Sequence, residues 1–258
     1  MLIQFLILDC CVSFAQNQRT PTPWPYLREA DVMYSKRIER IIDTREKINL
    51  GMKWPRNPLY NIIYDAVTRT RTLTAYQSDS LVSPALPEDI LKLGSYEIVI
   101  QVYTNPNDPY EFHDSTIRVV FKPEKIIKYL VIEDWIFDRK TSEMYVRILA
   151  IAPMYRPLAG GTGIELAEQP MFYIKYNEAR NLFVQQEIFT RHNNATHLTY
   201  DDFFEQRLFS SYITKENNEF DLRINQYEEY VSDPYAALLQ GEAIKNKLFE
   251  FEHDLWEY

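Results

Sequence analysis

Two runs of β-forming residues joined by a short polar link set the architecture of this 258-residue chain. Residues 128–137 (KYLVIEDWIF) and 144–152 (MYVRILAIA) are dominated by Val, Ile, Tyr and Trp. The link, residues 138–143 (DRKTSE), is polar and has the length of a hairpin loop. An antiparallel pair in the middle of the chain follows. Residues 96–103 alternate Ile98, Ile100 and Val102 against Glu97, Val99 and Gln101, the pattern of a half-buried strand. Residues 171–176 add a further strand, and the Thr-rich residues 70–76 another.

Residues 30–50 carry two periodicities. Tyr34, Ile38, Ile41 or Ile42, and Ile48 share a helix face, while Val32, Tyr34, Ile38 and Ile42 share a strand face. Glu39, Arg40, Arg45, Glu46 and Lys47 are good helix formers and favour helix in the second half. Asn57-Pro58 has the form of a cap followed by Pro at the first helical position, with Ile62, Ile63, Ala66 and Val67 on the helix. Residues 87–93 read as a short helix ended by Gly94. Thr199-Tyr-Asp-Asp202 is a capping-type start for a helix bearing Phe203, Phe204, Leu208 and Tyr212. Asp233-Pro234 starts a final helix, whose stripe is Ile244, Leu248, Phe251 and Leu255.

The N-terminal residues 16–29 hold Pro21, Pro23 and Pro25 around Trp24 and read as an extended arm. Trp24 there is either a plug for a partner or docks on its own domain. Residues 157–169, with Gly160-Gly-Thr-Gly163, form a loop. The expected fold is α+β: a mixed single domain over residues 30–258, with a mainly antiparallel sheet in the middle, a helical C-terminal third and an extended Pro-rich N-terminal arm.

Residues 1–15 (MLIQFLILDCCVSFA) are apolar, too short to span a bilayer, and end in Ser13-Phe-Ala15, a small-x-small cleavage pattern. A signal peptide over 1–15, cleaved after Ala15, is expected, although no Lys or Arg precedes Arg19 and Asp9 interrupts the apolar run. A buried N-terminal strand is the rival reading. Cys10 and Cys11 are the only cysteines, so the cleaved chain would hold no disulfide or thiolate metal site. The net charge of −9 argues against nucleic-acid binding, which needs a positive face. Charge is uneven: residues 16–56 hold nine basic and five acidic residues, whereas 228–258 hold two basic and eight acidic. Such asymmetry favours head-to-tail contacts between copies or docking of one end on the other.

No catalytic constellation is legible. His192 and His197 are five apart and do not share a helical face, and the side chains of His113-Asp114 and His253-Asp254 diverge. Asp201-Asp202 fits a helix cap better than an acid–base pair. Glu133-Asp134 would serve a hydrolase only with a facing carboxylate. Asn194-Ala-Thr196 is a formal glycosylation sequon, and Gly160–Gly163 lacks the Lys and the strand–loop–helix context of a phosphate cradle. Catalytic, cofactor and metal residues are therefore expected to be absent. Tyr (19) outnumbers Phe (14), which fits either wet interfaces or a Tyr-rich core.

The chain closes on FEFEHDLWEY, residues 249–258, with four aromatics and four acids. A terminus of this kind is expected to be docked, because exposed aromatics are costly. Trp24, Trp135, Trp256 and Tyr258 are the candidates for protein interfaces. Several segments resemble the GldN/PorN family, gliding-motility and type IX secretion proteins of Bacteroidetes. They are ADVMYSKRI with IDTREK (residues 30–38 and 42–47), EDWIFD with VRILAIAP (133–138 and 146–153), TYDDFF, FSSYI and the closing FEFEHDLWEY. The resemblance implies a non-enzymatic periplasmic structural subunit of the type IX secretion system, and of the gliding machinery where present. It implies a ring built by self-association with a GldK/PorK-type outer-membrane lipoprotein, which ties the ring to the outer membrane. It also implies contact with the GldM/PorM-type periplasmic shaft. From the charge and the lack of a spanning stretch, neither nucleic-acid binding nor direct membrane insertion is expected. The residues by themselves leave a carboxylate-based periplasmic hydrolase or a soluble ligand-binding module open.

Overall fold

The structure, a computed structural model, describes residues 19–103, 112–158, 164–190 and 197–254. The anticipated hairpin is its centre: β5 (Lys128–Asp138) pairs with β6 (Glu143–Tyr155) in antiparallel register from Asp138↔Glu143 to Lys128↔Met154. On its other side β5 pairs with β1 (Val32–Asp43), again antiparallel, from Val32↔Asp138 to Asp43↔Lys128. The strand pattern thus prevails over residues 32–43, and of the helix expected for the second half of residues 30–50 there is only the 3-10 turn Asn49–Lys53 at its end. Glu39 and Arg40 are helix formers, but both are buried and ion-paired within the sheet, and tertiary context overrides propensity.

The sheet has the order β2-β8-β6-β5-β1-β9, with β2 at Ala75–Tyr76, β8 at Tyr173–Lys175 and β9 at Tyr212–Glu216. A short β7 (Gln169–Pro170) pairs with β6 off this path. The Thr-rich segment yields only the two residues of β2, since Arg71 adopts a positive φ of 53°. Every pairing is antiparallel.

Successive residues of a strand face opposite sides, so Tyr34, Ile38, Arg40 and Ile42 share one face of β1. Ile42 joins the larger core with Tyr129, Val131 and Ile151. Helices α1 (Leu59–Thr68), α3 (Tyr176–Phe183) and α4 (Tyr200–Glu205) cover that end. Ile38 instead joins Trp135, Ile213, Ile244 and Leu248 beneath α5 (Pro234–Asp254). Gly241 brings α5 onto β9, because a Cβ there would lie 2.7 Å from the Ile213 carbonyl oxygen.

Several local signals hold. The Thr199 hydroxyl accepts from the Asp202 N–H at 3.1 Å and the Asp202 carboxylate accepts from the Thr199 N–H at 3.2 Å, a full capping box. Asp233 accepts from the N–H groups of Tyr235 and Ala236. α2 (Pro87–Lys92) is followed by Gly94 at φ 72°. Other local readings fail. Asn57 does not cap α1: its side chain donates to the Glu187 carbonyl at 2.9 Å, and Pro58 holds the cap position. The helix begun at Thr199 stops at Glu205, Arg207 turns at φ 55°, and the expected continuation through Tyr212 is instead the edge strand β9. Residues 96–103 do form a strand, β3 (Tyr96–Tyr103), but it pairs only with β4 (Phe112–Val119) in a separate two-stranded sheet. It is not half-buried: Val99, Ile100, Val102 and Ile117 are all exposed. The final helix is as expected through Phe251.

Candidate functional site

The layer between the two cores is charged. On β5, Glu133 faces the same side as Trp135 and Val131 and is 0% exposed. Arg207 Nη2 donates to Oε1 and Oε2 at 3.0 and 3.1 Å, and Trp135 Nε1 donates to Oε2 at 3.0 Å. Arg40 Nε stands 3.2 Å from Oε1, within ion-pair reach but outside hydrogen-bond alignment. Burial pulls the Arg40 guanidinium below its usual range, partly opposed by Glu133. A carboxylate enclosed in this way is the shared partner of two guanidiniums and is closed off from solvent. Asp134 lies on the opposite face and takes a bidentate bond from Arg37 at 2.8 and 3.1 Å. Glu133 and Asp134 therefore serve different ion pairs on opposite sides of the sheet.

Asp201 and Asp202 also part company. Asp202 caps α4, while buried Asp201 accepts from Arg180 Nε at 2.8 Å and Nη2 at 3.0 Å. Burial works against the Arg180 charge, but the bond to Asp201 and the nearby Glu205 outweigh it and hold the guanidinium above its usual range. Burial likewise raises the Tyr176 hydroxyl far above its ordinary value. This pair anchors the arm. Trp24 stacks on Tyr176 at 6.2 Å, donates Nε1 to Glu205 at 2.8 Å, and lies under the guanidiniums of Arg180 and Arg147. Arg147 Nη2 further donates to the Pro25 carbonyl at 2.6 Å.

The aromatic end of the chain docks on its own body as far as it is described. Phe249 meets Trp135 edge-on at 6.1 Å, and Phe251 meets Tyr34 at 4.5 Å and Phe137 at 6.3 Å. Trp135 is 4% exposed beneath this contact. Of the four interface candidates, then, Trp24 and Trp135 both have partners within the chain, and Trp256 and Tyr258 lie outside the described residues. Residues 1–15, Gly160–Gly163, His192 and Asn194 also lie outside them. His197 pairs with Glu187 at 3.1 Å, and His253 is exposed in the last turn of α5. Among the described residues no group of three or more His, Cys, Asp or Glu converges as metal ligands. No helix among them is long and apolar enough to cross a membrane.

What remains unsatisfied is surface. Tyr235, Leu238 and Leu239 on the outer side of α5 are 69%, 46% and 53% exposed. Beside them lies a groove of about 500 Å³ floored by Leu222, Ile224, Tyr227 and Ile244, with Glu228 and Glu229 also on its lining. Sequence reasoning missed this groove, as it missed Arg40, Arg180 and Arg207. The only available signal was the surplus of acids after residue 228. A family model described as "Gliding motility associated protein GldN" matches residues 27–257. The chain belongs to the GldN family. The match runs from the end of the arm through the docked aromatic helix, and it makes this chain a component of the gliding-motility and type IX secretion machinery. A search of curated proteins gave no match.

Proposed function

We propose that this member of the GldN family is a non-enzymatic, periplasmic structural subunit of the type IX secretion system. In this reading residues 1–15 are a cleaved signal peptide, 16–29 an arm and 30–258 one domain. The subunit forms a ring with a GldK/PorK-type lipoprotein, which holds it at the outer membrane, and contacts the GldM/PorM-type shaft. The family match over residues 27–257 carries the proposal. Two structural observations support it. Glu133 and Asp134, the carboxylates that a hydrolase reading would use, are both engaged in internal ion pairs. The β3–β4 ribbon exposes apolar side chains, and a lone two-stranded sheet is marginally stable without packing. A subunit that completes its burial in an assembly accounts for the exposed ribbon. Trp256 and Tyr258 contribute at such contacts directly, Trp135 by seating Phe249 and Trp24 by holding the arm.

The test is co-purification of the mature chain with the lipoprotein, followed by electron microscopy. A stable co-complex of closed rings is expected. Two proteins that elute separately at every ionic strength would refute the proposal.

A further inference from the structure

Two surface patches on different elements, the first with Lys53 and Trp54 half-buried at its centre, have opposite charge and matching apolar content. One follows β1: Lys47, Ile48, Lys53, Trp54 and Arg56, with Phe189 packed on Trp54 at 5.8 Å. Arg56 lies over the Trp54 ring at 5.9 Å. Ile48 is 59% exposed and Phe189 46%. Residues 45–56 hold four basic residues and one acid. Arg45 is neutralised by Asp43, but Lys47, Lys53 and Arg56 have no ion-pair partner among the described residues. The other patch is the groove beside α5, where Glu228 and Glu229 are exposed, also have no ion-pair partner among the described residues, and lie on the same lining as Leu222, Ile224, Tyr227 and Ile244.

We infer that the groove beside α5 receives the basic, aromatic patch around Lys53 and Trp54 from a second copy of the chain. Ile48 and Trp54 enter over Leu222, Ile224 and Tyr227, while Glu228 and Glu229 face Lys47, Lys53 and Arg56. Opposite charge fixes the register and excludes groove-to-groove or patch-to-patch pairing, where like charges would meet. The contact joins two different surfaces, so it is heterologous, and a heterologous contact closes into a ring when its rotation permits. The inference rests on the structural-subunit reading and supplies its contact between copies.

The test uses two mature chains, residues 16–258, with different tags and no native cysteine. One carries Gln240→Cys on the groove lining and the other Lys53→Cys. They are mixed with and without the lipoprotein and oxidised. A disulfide between the two tags is expected, well above a control that pairs Gln240→Cys with Ser83→Cys. In chains without added cysteine, reversing Lys47 and Arg56 to Glu should weaken self-association roughly tenfold, and adding Glu228→Lys and Glu229→Lys in the partner should restore it. Cross-linking no greater than the control would overturn the contact. Lipoprotein capture without the cross-link overturns this contact alone. The cross-link without lipoprotein capture leaves the contact standing and removes the secretion-ring reading.

Discussion

Replacing Glu133 by Gln tests what the buried charge is for. The side chain is 0% exposed and accepts from Arg207 at 3.0 and 3.1 Å and from Trp135 at 3.0 Å, with Arg40 Nε at 3.2 Å. Glutamine keeps the shape but removes the charge, and its amide nitrogen would present N–H to donors. Two guanidiniums would then share a site without an anion, and one of them, Arg40, is only 5% exposed. Losing one member of a buried pair costs about 3–5 kcal/mol. That is a large share of a typical native stability of roughly 5–15 kcal/mol. At about 2–4 °C per kcal/mol for a chain of this size, the midpoint should fall by about 6–20 °C. Thermal and urea unfolding followed by circular dichroism measure both quantities. Because the charges cost solvation, replacing the pair with Met at Arg40 and Glu133 together should recover part of the loss. A Glu133→Gln chain melting within about 2 °C of the parent would refute the reasoning. Turnover by the parent that vanishes in a stably folded Glu133→Gln chain would reinstate a hydrolase.

Gly241→Ala should destabilise by about 1–3 kcal/mol, the cost of overpacking, because its Cβ would meet the Ile213 oxygen at 2.7 Å; elsewhere in a helix the same change gains up to about 1 kcal/mol. Urea titration gives the sign, and faster amide exchange in α5 than in β5 would locate it. Phe251→Ala should cost about 2–3 kcal/mol through its lost contacts with Tyr34 and Phe137, less than a full core Phe because Phe251 is half-buried. An unchanged melt would mean that the aromatic end is not docked. Thr199→Ala should cost about 1 kcal/mol by removing the capping box, read from the urea midpoint. Burial tends to raise the Asp43 carboxyl, but bonds from the Arg45 side chain and backbone N–H outweigh it and hold it below 3.8. Its contribution is therefore present above pH 3.8 and is lost as pH falls through the lower, folded value. Asp43→Asn should flatten that part of the stability–pH curve, and an identical acid slope in both chains would contradict it.

The hairpin of β5 and β6 was legible because Val, Ile, Tyr and Trp dominate both strands and the link is polar. The starts of α4 and α5 were legible because capping is chemistry between neighbours, Thr199 with Asp202 and Asp233 with the N–H groups that follow it. β1 was not, and the reason is specific. Its buried face alternates Ile38 with Arg40, and its other face buries Glu39, so the strand carries charges where periodicity looks for apolar residues. Those charges are buried only because Glu133, Arg207, Lys215 and Arg223 arrive from far along the chain. No local rule connects residues 40, 133 and 207. The same holds for Asp201, whose neighbour's capping role hid its own bond to Arg180. For the candidate surface, composition gave the excess of acids after residue 228 and of bases before residue 56. Only the fold shows which of those charges are left without partners.

The closing aromatic stretch divides along the same line. The buried residues Ile244 and Leu248, with half-buried Phe251, belong to a core separated from the larger one by the Arg40–Glu133–Arg207 layer. α5 thus covers a patch of sheet that the helices α1, α3 and α4 do not reach. The helix also lies against the backbone of β9, the last strand of the sheet, where an unprotected edge would invite pairing with other chains. What it leaves outside is the exposed face of Tyr235, Leu238 and Leu239 beside an acidic groove, a surface whose charge selects what can settle on it.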